Sequence, residues 1–177
     1  MGFQFQNLDD RTRPLMVDEL EYDLARNTLY PSPRLNERGL AAYPDLLRAA
    51  IRDGNDVSLA NDLRSGHLFK ATERKKKPRG GYTEARVPVT APETLAEGEF
   101  NRFYARGLCR RAIEDGIPEL VVYRAKEVEN PRPESMAMIG TRVNAEALLT
   151  DLRVNPGIEP ALHLPPGPNS GLSVRLP

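Results

Sequence analysis

The sequence predicts an α+β fold: an N-terminal helical layer over residues 1–66, then a mixed β-sheet packed on one long amphipathic helix, and a Pro/Gly-rich arm over residues 156–177. Three observations carry this. Residues 1–66 hold apolar stripes at helical spacing, β-branched runs begin only after His67, and a stripe with an i, i+3, i+4 rhythm runs from Phe100 to Ala112 between two such runs. With 177 residues, 40% of them hydrophobic and 28% charged, the chain has the length and composition of one globular domain over residues 1–177.

In the helical part, Asp10 or Thr12 is expected to cap a first helix with Pro14 in its first turn and Met16, Leu20 and Leu24 on one face, ending near Asn27. Tyr30-Pro-Ser-Pro33 is a rigid connector. Leu40, Tyr43, Leu47 and Ile51 then mark a second helix that stops at Gly54 and that Pro44 should kink or split. A third runs from about Asp56 to Arg64, with Leu59 and Leu63 inward and Gly66 as its stop.

His67–Thr72 and Tyr82–Val89 read as the strands of a hairpin whose tip is the basic stretch 73–81. Thr90-Ala-Pro-Glu93 has the form of a capping box and opens the central helix, which Gly116 ends near Asp115. Glu119–Lys126 reads as a strand covered on both faces; if Tyr82–Val89 shares its sheet, the helix between them is a βαβ crossover. Glu129–Ser135 is a turn, Met136–Arg142 a return strand, and Asn144 the cap of a short helix with Leu148, Leu149 and Leu152 inward. Leu172–Leu176 is an edge strand.

Composition excludes several classes of function. The longest apolar run is far below the roughly 20 residues that a membrane-spanning helix needs, and the start MGFQFQNLDD has no signal-peptide pattern, so the expected location is the cytoplasm, or a particle assembled there. One cysteine, Cys109, and two histidines give neither an internal disulfide nor a cysteine/histidine zinc site, and no metal or cofactor is expected. No phosphate-binding glycine loop, HExxH motif or calcium loop occurs. Pro118-Glu119 and Lys126 have the outline of a PD-(D/E)xK nuclease, but Arg124 stands where the second acid is required, so a metal would meet a cation there. Cys109 lies mid-helix with no strand-to-helix elbow and reads as a structural thiol rather than a nucleophile served by His67 or His163. No catalytic residue is assigned; the remaining route to an enzyme is convergence of Glu114, Asp115, Glu119 and Glu127 in a pocket.

The formal charge is zero, with 25 basic and 25 acidic residues, but residues 67–132 carry 14 basic against 10 acidic groups. Lys70, Arg74, Lys75, Lys76, Lys77 and Arg79 cluster at the hairpin tip with one acid, Glu73. Such a cluster suits phosphates, and it equally suits a solvated loop or a strand edge protected by lysines against aggregation. Arg102, Arg106 and Arg110 form a row at i, i+4 on the central helix, read either as a polyanion contact or as a solvent face paired with acids such as Glu99 and Glu114.

Glu99-Phe-Asn-Arg-Phe-Tyr-Ala-Arg-Gly-Leu108, Tyr123-Arg-Ala-Lys126, Asn130-Pro-Arg-Pro-Glu-Ser135 and Pro166-Gly-Pro-Asn-Ser-Gly-Leu-Ser-Val174 resemble segments of uncharacterised bacterial proteins associated with phages and other mobile elements. The resemblance covers about the C-terminal half, brings no catalytic motif, and implies a structural or accessory role. The expectation is therefore a non-catalytic interaction protein, a virion or accessory component of a phage-like element, with a protein partner or self-assembly and no membrane. The alternative is a nucleic-acid-binding accessory protein that uses residues 70–79 and the Arg102/Arg106/Arg110 row.

Overall fold

The computed structural model describes residues 2–78, 80–155 and 170–177. In chain order the elements are α1 (Thr12–Arg26), α2 (Glu37–Asp53), α3 (Asp56–Ser65), β1 (Thr72–Lys76), β2 (Tyr82–Arg86), α4 (Ala91–Glu114), β3 (Glu119–Arg124), α5 (Pro133–Met138), β4 (Arg142–Asn144), α6 (Ala145–Val154) and β5 (Leu172–Arg175). This is the α+β class with one long helix, α4, at its centre.

Helix α4 joins the two halves. It packs on α1, α3, α6 and β5, and one apolar core runs from Met16 and Leu20 through Phe100, Phe103, Tyr104 and Leu108 to Leu120, Leu148 and Val174. Gly107 lets α1 and α4 approach closely, since a β-carbon there would lie 2.6 Å from Met16 Cγ and 2.9 Å from Met16 N. The expected face Phe100, Phe103, Tyr104, Gly107, Leu108 and Ala112 is buried throughout.

Several local expectations are corrected. Asp9 caps α1, in place of Asp10 or Thr12: its Oδ1 accepts from the N–H groups of Arg11 (3.1 Å) and Thr12 (3.0 Å). Helix α2 continues through Pro44, and Leu40 is exposed because the neighbouring Gly39 presses against the Leu68 carbonyl and turns Leu40 outward. The Thr90/Glu93 capping box does not form: Thr90 makes no side-chain cap, and Glu93 pairs with Arg64 of α3 instead. A tertiary ion pair has taken the residue that the local motif needed. Asn144 does cap α6, accepting from the Ala147 N–H at 2.9 Å.

The strands also differ from the expected mixed sheet. β3 lies between β4 and β5 and is antiparallel to both, while β1 and β2 form a separate antiparallel pair. The expected βαβ crossover is not formed, because β2 does not join the sheet of β3. Residues 136–138 end the short helix α5, with Ser135 closing on the Arg132 carbonyl, so the return strand is only Arg142–Asn144. The supposed C-terminal arm is divided. Leu172, Ser173 and Val174 are buried in the sheet, and residues 156–169 lie outside the described residues.

One feature had no sequence signal. Residues 3–7 form a strap across the molecule: Phe3 N–H donates to Asp56 of α3, Gln4 N–H to the Ala125 carbonyl at 2.7 Å, and Asn7 N–H to the Tyr104 hydroxyl. The Asn7 side chain accepts from Leu176 N–H, and the Phe5 ring sits 4.6 Å from the Tyr104 ring.

Candidate interaction surface

The basic run forms a strand rather than a loop tip. Residues 72–76 alternate along β1 and pair with residues 86–82 of β2, and nearly every residue of both strands is exposed. The turn at 77–81 is closed by Lys77 N–H to the Gly81 carbonyl (3.0 Å), with Gly80 and Gly81 at φ +89° and +76°. That bond and Val87 N–H to the Ala71 carbonyl set the odd-numbered residues of β1 facing β2. Antiparallel alternation then turns the peptide groups of Thr72, Arg74 and Lys76 outward.

The hairpin is fixed at its base. Just before β1, Leu35 bridges Phe69, Lys70 N–H donates to the Arg34 carbonyl at 2.9 Å, and Lys70 Nζ donates to the Pro33 carbonyl at 2.8 Å. Arg34 also forks onto Glu73 at 2.6 and 3.1 Å, which holds the Glu73 carboxyl below its usual range. The acid of the basic cluster is thus neutralised by a cation from outside it. Glu84 accepts from Thr72 Oγ1, and the Arg74 guanidinium stacks 4.0 Å from the centre of the Tyr82 ring. The side chains of Lys76, Lys77 and Arg86 have no hydrogen bond or ion pair among the described residues, and that of Lys75 has only a longer-range attraction to Glu73. Arg79 lies outside the described residues.

The arginine row on α4 faces inward. Arg106 is fully buried and binds two acids of α1: Nε donates to Glu19 at 2.9 Å, and both terminal nitrogens donate to Asp23 at 2.7 and 2.9 Å. Arg102, 5% exposed, donates through Nε and Nη2 to the Leu152 carbonyl at the end of α6. Arg110 stays half-buried near Asp18, Glu19 and Glu114. Arg102 and Arg106 are therefore buried and share no exposed face with the hairpin cations. The rows match by period: Glu19 and Asp23 on α1 are spaced by four, as are Arg102 and Arg106 on α4. That complementarity was the available sequence signal, and it required knowing that the two helices pack together.

Arg153 of α6 completes this cluster by donating to Glu19 at 2.5 and 2.9 Å. Burial alone would raise the Glu19 carboxyl, but hydrogen bonds from Arg153 and the charge of Arg106 outweigh it and hold the group below its ordinary value. Glu99 behaves oppositely. Burial, reinforced by the charge of Asp23, pushes its carboxyl up to about 7 against the pull of Arg102 and Arg106. Its Oε2, Arg102 Nη1 and the Tyr43 hydroxyl are all buried without a hydrogen-bond partner.

Cys109 is buried, and burial raises its thiol far above the range in which a thiolate forms, which fits the structural reading. Glu114 pairs with Arg110, Asp115 with Arg11 and Arg111, and Glu119 lies 3.7 Å from Arg142, so these acids are distributed among separate cations. Among the described residues no group of three or more histidine, cysteine or acidic side chains is placed to hold a metal. No helix among them is long and apolar enough to cross a membrane. Comparison with protein-family models, curated proteins and solved structures finds no match.

Proposed function

We propose that this chain is a non-catalytic interaction protein, an accessory or structural component of a phage-like element, and that the β1–β2 hairpin is its contact arm. The observation that carries this reading is a two-stranded ribbon with both faces and its outer edge in solvent, anchored at its base. A lone hairpin gains little stability of its own in water, and its burial here contributes almost nothing to the core. Such a ribbon is suited to contact with something else. Elsewhere among the described residues Arg102 and Arg106 tie α1, α4 and α6 together, and Cys109 is sealed. The sequence resemblance to mobile-element proteins supports the setting.

The test compares the intact chain with a variant in which residues 73–85 are replaced by a short Gly/Ser link, by light scattering on a sizing column, alone and with short duplex DNA. The variant should keep its thermal midpoint and lose the assembly or complex that the intact chain forms. Identical elution of the two forms in every condition would refute the assignment of the hairpin as the arm.

A further inference from the structure

We propose that the partner of this arm is duplex nucleic acid, with the ribbon entering a groove and Lys75, Lys76, Lys77 and Arg86 meeting phosphates on its two walls. The proposal rests on the reading of the hairpin as a contact arm and names what it contacts.

The strand register supplies the argument. Residues of equal parity share a face, so Arg74 and Lys76 of β1 and Arg86 of β2 project to one side, and Lys75 and Lys77 to the other. Cations thus leave both faces of a ribbon only two strands wide. An acidic protein surface would meet one face and leave the other unpaired. A strand added at the β1 edge would lie in the plane of the ribbon, between the two charged rows. A second copy of β1 would place lysine and arginine opposite one another, which is unfavourable. A groove with phosphates on both walls engages both faces together, and the major groove of B-form DNA, about 12 Å wide, admits a two-stranded ribbon.

The anions within the hairpin are handled accordingly. Arg34 ties Glu73 back to the body of the protein at the base, which removes the one acid of β1 from the ribbon's field. Glu84 is then the remaining acid on the ribbon, beside the Arg74–Tyr82 stack. The neutral charge of the whole chain does not oppose this, because charges farther from the arm than a Debye length of about 8 Å are screened from it.

The experiment measures fluorescence anisotropy of a labelled short duplex of arbitrary sequence against salt concentration. Four phosphate contacts give a slope of log affinity on log salt of about −3.6. Lys75→Gln, Lys76→Gln and Lys77→Gln together should flatten it by about 2.7 and weaken binding at low salt by more than about tenfold. Glu84→Gln keeps an acceptor for Thr72 and should tighten binding by about two- to threefold, a gain that misfolding would not produce. An unchanged slope in the triple variant, or no gain from Glu84→Gln, would overturn the proposal, and equal affinity for a single strand of the same length would overturn the groove assignment. Self-assembly that needs the hairpin while DNA does not bind would overturn the nucleic-acid partner and leave the contact arm standing. A hairpin deletion that alters neither would remove both.

Discussion

Replacing Glu99 by glutamine is expected to stabilise the protein at alkaline pH and to leave it nearly unchanged in acid. Glu99 lies between Arg102, Arg106, Asp23 and the Tyr43 hydroxyl, and its carboxyl is raised from 4.5 to about 7. The folded state therefore holds this proton more tightly than the unfolded chain does. The resulting stabilisation is fully present below pH 4.5 and is lost as pH rises through about 7. At about 1.4 kcal/mol per pH unit, the interval corresponds to about 3 kcal/mol, or a midpoint shift of about 6–12 °C for a chain of this length. Urea and thermal melts of both forms at pH 5 and pH 8 provide the assay. The native protein should lose stability relative to Glu99→Gln across that range, the curves converging in acid. Glu19 moves the other way: its depressed carboxyl contributes stability that disappears below about pH 4.5, equally in both proteins. Curves that run parallel from pH 5 to 8 would refute the account of Glu99 as a buried, proton-holding acid.

Arg106→Met leaves Glu19 and Asp23 buried with their principal cation gone and should cost about 3–5 kcal/mol in urea unfolding, with no change in the salt slope of DNA binding. Gly107→Ala forces a methyl against Met16 and should destabilise by about 1–3 kcal/mol, seen as a lowered thermal midpoint. Asn144→Ala removes the α6 cap at a cost of about 1 kcal/mol, measured the same way.

The parts of the fold that were legible in the sequence are those set by local rules. The Asn144 cap, the α3 span and the buried face of α4 each depend on residues within one or two turns, and each stands where its pattern put it. The misreadings came from tertiary competition. Glu93 left its capping box for Arg64, Leu40 turned out because Gly39 turned in, and Tyr82–Arg86 stayed out of the main sheet because its side chains alternate polar residues on both faces. In the candidate site, the basic cluster was visible as composition, but its distribution to both sides of a ribbon appears only once the register is known. The arginine row was visible too; its inward direction followed from acids on α1, more than 80 positions away in sequence.

The strap of residues 3–7 bears on how the chain is made. Its partners include Tyr104, Ala125 and Leu176, so residues 3–7 wait through the synthesis of up to 169 further positions before all their contacts can form. At roughly 5–20 residues per second, that wait lasts on the order of ten seconds or more. Until residue 125 has been made, Phe3 and Phe5 lack the partners that cover them in the folded chain, Tyr104 and Tyr123 among them. Closure of the strap is thus a late step, set by partners 97 to 169 positions away along the polypeptide.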